Sequence, residues 1–360
     1  MHSSTSNSDL MAPPPPERPV PVQSWMITGV VTVVVFVATL GAWEWYWRDW
    51  GAQPTYRNSE GLWALQRKRI NQGEGDATVL VGSSRTLSNI NLDVWEKLEG
   101  RRPIQLALEG TSPMTPLEGL ANDPDFKGKV VVGVTPMLFF SGFQYRDDVL
   151  NYYPKETPAQ RWGQWLSMTL LEPYFAFYDD DFALFTVLKR QKWPQRPGVK
   201  VDSDVRRLFT VSKDRNMRLW EKVENDVAYQ TRAKEIWREF WTNPDPEMMA
   251  AMPKIVATQM ERAEKAVKKL QAKGVKVVFV LHPVDGEFAQ FELHAMARER
   301  TWDPMLQRTG APGIHFQDYP QLQGYWLPEW SHMARAEADR YTTALYPLIQ
   351  EKFQSTGEKK

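Results

Sequence analysis

The sequence predicts a doubly wound α/β fold built on a mainly parallel, five-stranded sheet. Short apolar runs alternate along the chain with stretches of helical periodicity, an order typical of α/β domains. The first four runs are nearly continuous Val, Leu and Ile, as expected of parallel strands that are covered on both faces. The predicted strands are "ATVLVG" (77–82), "PIQLALEG" (103–110), "KVVVGVTP" (129–136), "VKVVFVLHP" (275–283) and the weaker "GIHFQDY" (313–319).

Helices are predicted between these strands. "NLDVWEKLEG" follows the first strand, and the long "AAMPKIVATQMERAEKAVKKLQAKG" precedes the fourth, with Gly274 in a C-cap position. "SHMARAEADRYTTALYPLIQEKF" follows the fifth strand, with Ser331 as a candidate N-cap. The alternation of strand and helix is therefore complete except in one place.

That place is the segment 137–274, which is far longer than one crossover needs and predicts a helical insertion. It is rich in aromatic residues, as in "RLWEKVENDVAYQTRAKEIWREFWTN", and its patterns indicate several amphipathic helices. Two interpretations of these aromatic side chains stay open. They either pack a helical subdomain or form a groove that stacks on sugar rings.

The N-terminal part predicts a membrane anchor. Residues 25–43 carry no charge and approach the ~20 residues that span a bilayer, with Trp25 and Trp43 placed like the aromatic belts at headgroup level. A cleaved signal peptide is the alternative, but the preceding residues 1–24 are proline-rich and not net basic, and no A-x-A site follows the apolar run. We expect an uncleaved single-pass helix, preceded by a disordered or polyproline tail.

The rest of the chain divides further. Residues 44–76 predict a helical stalk, 77–354 the α/β domain, and 355–360 a flexible tail. Long domains translocate largely regardless of flanking charge, so we expect the C-terminal bulk to lie outside the cytoplasm.

Composition removes several classes of function. The net charge is zero, with 44 basic and 44 acidic side chains, so no basic surface for nucleic acid is expected. Cysteine is absent, and the five histidines show no metal-ligand spacing, so neither a disulfide nor a metal site is expected. No glycine-rich phosphate loop occurs, so we expect no nucleotide or other cofactor.

Candidate site residues lie at or just beyond the carboxyl end of each predicted strand, which is where ligands bind in an open α/β sheet. They are Ser84 after the first strand, Gly110 after the second, Thr135 after the third, His282 after the fourth and His332 after the fifth. We therefore expect them to converge on one edge of the sheet.

Their types suit serine-dependent acyl transfer. Serine needs an adjacent base, usually an imidazole that a carboxylate orients, and His332 with Glu329 three residues earlier would serve. Backbone N–H groups near Ser84 and Gly110, assisted by the Thr135 side chain, would hold the oxyanion. The alternative is that Ser84 only caps the following helix, because serine after a strand is common in α/β loops.

Two further residues are candidates for lining the site. Arg85 is adjacent to Ser84, although an ion pair or a solvated side chain explains it equally simply. His282 is either a support for the site or a packed core residue.

The order of these motifs resembles the SGNH (GDSL-like) hydrolases. "GSS" at 82–84 resembles their Gly-Asp-Ser block, with Ser84 in the nucleophile's place, and Gly110 in "LALEGTSP" suits the oxyanion glycine. "GVTP" at 133–136 puts Thr135 where the family has its oxyanion asparagine. "EWSH" at 329–332 resembles the final Asp-x-x-His block. The resemblance implies a flavodoxin-like sheet of the SGNH type.

The membrane anchor makes the chain similar to the SGNH-like proteins of bacterial polysaccharide O-acetylation. This resemblance implies a protein of the bacterial inner membrane whose periplasmic or extracytoplasmic domain is an acetyltransferase or esterase acting on a polysaccharide. It also implies a membrane-bound O-acyltransferase as a partner. The alternative, which follows from the missing asparagine, is a catalytically inactive scaffold that binds a glycan or that acyltransferase through the aromatic insertion.

Overall fold

The computed structural model describes residues 24–146, 148–191, 207–242 and 245–355. The predicted N-terminal tail, apart from Ser24, and the predicted C-terminal tail, apart from Ser355, lie outside these residues. The chain divides into two compact units, Met1–Tyr46 (unit 1) and Trp47–Lys360 (unit 2).

The first helix, α1, extends over Trp25–Asp49 and so continues beyond the predicted 25–43. By length and composition it is able to cross a membrane, because its most apolar 18-residue window has a mean hydropathy of 2.1. Its Val and Phe side chains between 30 and 37 are exposed, as those of a lipid-facing helix are.

Unit 2 contains a five-stranded parallel sheet, which confirms that part of the prediction. The strands of the described residues are β1 (Thr78–Val81), β2 (Ile104–Gln105), β3 (Lys129–Val134), β4 (Phe209–Val211), β5 (Met217–Leu219), β6 (Lys276–Leu281) and β7 (Gly313–His315). The sheet order is β2-β1-β3-β6-β7, and every neighbouring pair is parallel. The chain thus turns in opposite directions from the centre of the sheet, between β1 and β3, where doubly wound sheets bind ligands.

Helices pack on the sheet in two groups. The helices are α2 (Glu60–Arg69), α3 (Ser84–Asn89), α4 (Leu92–Glu99), α5 (Met114–Asn122), α6 (Pro136–Ser141), α7 (Asp148–Tyr152), α8 (Pro158–Leu170), α9 (Leu184–Lys189), α10 (Glu221–Asn225), α11 (Val227–Thr242), α12 (Pro246–Ala272), α13 (Gly286–Ala295), α14 (Trp302–Thr309) and α15 (Arg335–Ser355). α12 packs against α5, α6 and α14, whereas α15 packs against α3 and α4. Both α12 and α15 contact β6, so apolar residues in that strand are buried.

Two predicted helix ends have different outcomes. α12 ends just before Gly274, whose φ of +80° is the left-handed conformation of a C-cap glycine. α15 begins at Arg335 and not at Ser331, so the predicted N-cap is wrong. The residues from Ser331 to Ala334 therefore belong to a loop before α15, and this loop carries His332.

The predicted stalk of residues 44–76 is different in the structure. Ser59 caps α2 by accepting a hydrogen bond from the N–H of Leu62. Trp63 lies in the core of unit 2, and its indole N–H donates to the carbonyl of Leu106 at 3.1 Å. α2 is therefore a packed helix of the domain, because its residues Leu62, Trp63 and Ala64 are buried.

The insertion between β3 and β6 contains an antiparallel hairpin, β4–β5, in addition to the predicted helices. Arg215 lies in its turn with φ +65°. The Arg215 guanidinium donates to the carbonyls of Gln105 and Ala107, both at 2.8 Å. The hairpin therefore covers β2, an edge strand whose carbonyls would otherwise be open to pairing.

Candidate functional site

The turn from β1 into α3 presents Ser84. Ser83 is the N-cap of α3, and its carbonyl accepts the N–H groups of Thr86 and Leu87, each at 3.1 Å. Gly82 permits this tight turn, because a Cβ at that position would lie 2.0 Å from Oγ1 of Thr86. Ser84 is thus the first residue of the helix and not its cap, and it is half-buried.

Ser84, His332 and Glu329 form one chain of hydrogen bonds. Nε2 of His332 lies 2.8 Å from Oγ of Ser84, and Nδ1 of the same ring lies 2.9 Å from Oε1 of Glu329. The N–H of His332 also donates to Oε1 of Glu329, at 2.6 Å. This is the arrangement in which a base accepts the serine proton while a carboxylate holds the other ring nitrogen.

The loop that carries His332 has a constrained backbone. Trp330 has φ +76°, an uncommon conformation for a residue with a side chain. The N–H of Met333 donates to Oδ1 of Asn89 at 3.1 Å, which ties the loop to the C-terminal end of α3. The loop and the helix that carries Ser84 are thus held together by a contact other than the serine–histidine one.

Glu329 is fully buried as an ionised carboxylate. Burial alone would raise the pKa of Glu329, but the interactions with His332 and the hydrogen bond from Trp237 outweigh it, and the net pKa lies below the usual range. A charged Glu329 favours the ring tautomer that carries its proton on Nδ1. Nε2 of His332 is then free to accept the proton of Ser84.

Two aromatic residues of the insertion, which the sequence did not identify, complete this site. The indole Nε1–H of Trp237, on α11, donates to Oε2 of Glu329. The ring of Phe209, on β4, packs edge-to-face against the ring of His332 at 4.8 Å between centroids. The aromatic richness of the insertion was a signal of packing, but no local pattern singled out these two positions.

Thr135 lies beside the nucleophile's turn. Its Oγ1 is 2.5 Å from Oγ of Ser83, and either hydroxyl is able to donate. Its carbonyl accepts the N–H groups of Leu138 and Phe139, so Thr135 caps α6 through its backbone. The Thr135 hydroxyl is therefore hydrogen-bonded to the hydroxyl of Ser83, the residue before Ser84.

The other oxyanion candidates are backbone N–H groups. Within the described residues, no hydrogen bond is assigned to the N–H of Ser84, as expected for the first turn of a helix. Gly110 has φ +59° and packs against Tyr145, where a Cβ would lie 3.3 Å from the tyrosine Cβ. No hydrogen bond among the described residues joins Gly110 to Ser84.

Arg85 and His282 are both fully buried, so neither lines an open cleft. Nη1 of Arg85 lies 2.5 Å from Oε2 of Glu292, and its Nε donates to Oγ of Ser331 at 3.2 Å. Arg85 therefore fastens α3 to α13 and to the loop of His332.

His282 connects α3 with α15. Its Nε2 lies 3.2 Å from Oγ1 of Thr86, and its Nδ1 lies 2.9 Å from the hydroxyl of Tyr341. Burial, together with the charge of Arg85, lowers the pKa of His282 to about 3. The His282 ring therefore stays neutral at ordinary pH, and it supports the site by holding α3, the helix of Ser84, against α15.

The sequence matches no protein-family model, and no curated protein matches it. Function is therefore argued from the geometry of Ser84, His332 and Glu329. Among the described residues, no group of three His, Asp or Glu side chains is placed to hold a metal ion.

Proposed function

We propose that this protein is a membrane-anchored SGNH-like enzyme that transfers or hydrolyses acyl groups, most simply acetyl groups, through Ser84. The observation that carries the proposal is the hydrogen-bonded chain of Ser84, His332 and Glu329, with 2.8 and 2.9 Å between successive side chains. A serine linked in this way to a base and an orienting carboxylate is an activated nucleophile.

In the proposed reaction, Oγ of Ser84 attacks the carbonyl carbon of an ester while its proton passes to Nε2 of His332. The backbone N–H of Ser84 and the side-chain hydroxyl of Thr135 stabilise the tetrahedral oxyanion. Collapse breaks the ester bond, and the leaving alcohol takes the proton from His332, which leaves acyl-Ser84. A water molecule or a sugar hydroxyl then attacks the acyl group, with His332 again accepting and returning the proton.

The proposed substrate is a polysaccharide or another glycan outside the cytoplasm of a bacterium, with the protein held in the inner membrane. The apolar helix α1 supports the membrane attachment. The order of the "GSS", "GVTP" and "EWSH" motifs supports the acyl chemistry through the SGNH-like resemblance. A membrane-bound O-acyltransferase is the proposed partner, as the source of the acyl group.

The test is turnover of p-nitrophenyl acetate by the full chain in detergent. We expect Ser84→Ala to lower kcat/KM by at least about 10³-fold, since it removes the nucleophile. Ser141→Ala is the control and is expected to keep activity, because the Ser141 hydroxyl bonds only backbone groups at the end of α6, the carbonyl of Met137 and the N–H of Phe143. Equal turnover by wild type and Ser84→Ala would contradict the mechanism.

A second candidate is a catalytically inactive scaffold that binds a glycan or the acyltransferase. The observation that favours it is the Thr135 hydroxyl, which is bonded to Ser83 where the SGNH family has an asparagine amide. A fluorophosphonate probe separates the two candidates, because it modifies only an activated serine. Modification of Ser84, detected by mass spectrometry and absent in His332→Ala, supports the enzyme. An unmodified Ser84 together with glycan binding supports the scaffold.

A further inference from the structure

Helix α8 has its polar side turned towards the protein. Oε1 of Gln164 accepts a hydrogen bond from Oγ of Ser59 at 2.8 Å, which joins α8 to the start of α2. Oγ of Ser167, one turn later, donates to Oε1 of the buried Glu172 at 2.6 Å. None of the residues of α8 is fully buried. The contacts of this helix with the domain are therefore largely polar.

The opposite side of α8 is apolar and exposed. Trp162, Trp165, Leu166 and Leu170 follow helical spacing and form one face. Trp162 is 64% exposed, and its ring packs edge-to-face on that of Trp165 at 5.6 Å. A surface helix of a soluble domain normally buries its apolar face, so this inverted orientation indicates an apolar phase outside the protein.

More exposed apolar side chains follow α8 in the chain. They are Tyr174, Phe175, Leu184, Phe185 and Leu188. We call these five residues, together with the apolar face of α8, the 162–188 surface. Single exposed apolar residues are ordinary, whereas a concentration of them in one segment is typical of an interaction site.

Three consecutive aspartates in this segment are paired with arginines. Asp179, Asp180 and Asp181 each lie within 3.1 Å of an arginine: Arg207, Arg57 and Arg190, respectively. The cations Arg161 and Lys189 lie at the exposed surface, and the Lys189 ammonium is 4.7 Å from the centre of the Phe185 ring. Basic side chains therefore flank the aromatic and aliphatic 162–188 surface in the chain.

The first residues of unit 2 contact the segment that carries this surface. Unit 2 begins at Trp47, within the last turn of α1, and the ring of Trp47 packs against Phe182 at 4.9 Å. Nη2 of Arg48 donates to the carbonyl of Tyr174 at 2.7 Å. Residues 174 and 182 are thus in contact with the residues that directly follow the candidate span in the chain.

We propose that the 162–188 surface binds the headgroup region of the bilayer as a second membrane contact, in addition to α1. The proposal rests on the membrane attachment in the proposed function, but not on the acyl chemistry. Trp and Tyr rings favour the headgroup level, and an amphipathic helix lies flat in that layer with its apolar face towards the acyl chains. Two contacts restrict the rotation that a single-helix tether leaves free.

The absence of cysteine makes a direct test practical, since any introduced thiol is unique in the chain. Single variants Trp162→Cys and Phe185→Cys of the full chain are labelled with an environment-sensitive fluorophore and reconstituted into vesicles of phosphatidylcholine and phosphatidylglycerol. Val33→Cys, in α1, reports insertion of the span, and Leu98→Cys, an exposed apolar position on α4, is the matched control. Quenching by a lipid with a nitroxide near the headgroup is measured for each.

We expect the labels at 162 and 185 to be quenched severalfold more than the label at 98, with blue-shifted emission, while the label at 33 is quenched most by a nitroxide deep in the acyl chain. If the label at 33 is quenched but the labels at 162 and 185 behave like the label at 98, the surface does not bind lipid and the proposal is wrong. If 33 is not quenched, the span itself fails and the surface proposal falls with it. Esterase activity of the same samples is independent of both outcomes.

Discussion

The indole N–H of Trp237 donates a hydrogen bond to Oε2 of Glu329, the carboxylate oxygen that His332 does not contact. His332 occupies the other oxygen twice, through its ring and its backbone. A helix of the insertion therefore supplies the remaining donor to a fully buried negative charge. Without it, one oxygen of that charge would be buried unpaired, which is costly.

Trp237→Phe keeps the ring packing but removes this donor. A hydrogen bond to a charged group contributes about 1.5–3 kcal/mol, so we expect kcat/KM to fall roughly 10- to 100-fold. The pKa of Glu329, which this bond helps to lower, should rise, so activity should be lost at a higher pH on the acid side. Trp241→Phe is the control, since Trp241 lies on the same helix as Trp237, α11, and stacks on Phe288 and Phe291 of α13. Equal profiles for the two variants would contradict this role.

Thr135→Val removes the hydroxyl that bonds Ser83 and keeps nearly the same side-chain shape. If this hydroxyl stabilises the oxyanion, kcat should fall about 10²-fold with little change in KM, because the interaction forms only in the transition state. The buried Ser83 hydroxyl would also lose its partner, which costs about 1–3 kcal/mol of stability. Thr135→Ser should restore both quantities. An unchanged kcat in Thr135→Val would remove Thr135 from the oxyanion site.

Because of His282, we expect the folded protein to lose stability in acid. The pKa of His282 is about 3 in the folded protein against 6.5 ordinarily, so between these values the ring is protonated in the unfolded chain but neutral in the folded one. Its stabilising effect is therefore complete above pH 6.5 and is lost as the pH falls towards 3, by at most ~1.4 kcal/mol per unit. His282→Gln should flatten the dependence of Tm on pH over that range. A variant whose Tm falls as steeply as that of the wild type would refute this assignment.

Arg215 fastens the hairpin to the edge of the sheet. Arg215→Ala removes the donors to the carbonyls of Gln105 and Ala107, and we expect the free energy of unfolding to fall by about 2–4 kcal/mol. Thermal unfolding in detergent should show a Tm lower by several degrees. Arg340→Ala, which breaks an exposed pair with Glu337, is the control and should cost less than about 1 kcal/mol. Similar losses in both variants would show that the edge contact is unimportant.

Much of the sheet could be predicted because its strands are local patterns. Buried parallel strands are continuous apolar runs, and β1, β3 and β6 lie inside the predicted segments. Their carboxyl ends meet at one edge of the sheet, which is why the sequence alone predicts that Ser84 and His332 are neighbours. The weaker fifth run forms only the short strand β7, since its later residues leave the sheet.

Trp237, Phe209 and the cover on β2 could not be predicted in the same way. Each depends on where the insertion folds back, and contacts across long separations have no local signature. Trp237 reaches Glu329 across 92 residues, and Arg215 reaches Gln105 across 110. The burial of α2, which lies within the predicted stalk of residues 44–76, has no local signature for the same reason, because it depends on contacts with the distant β2 region.

The bond between Ser84 and His332 joins residues that are 248 positions apart. β1 lies near the start of unit 2, whereas the histidine loop follows β7, the last strand to join the sheet in chain order. Such a long-range contact has a large loop-closure cost and requires both ends of unit 2 to be folded onto the sheet. A chain that lacks this contact has no base beside Ser84. Under the proposed mechanism we therefore expect reactivity at Ser84 only in molecules that hold the contact, so that labelling of Ser84 would count the natively folded molecules.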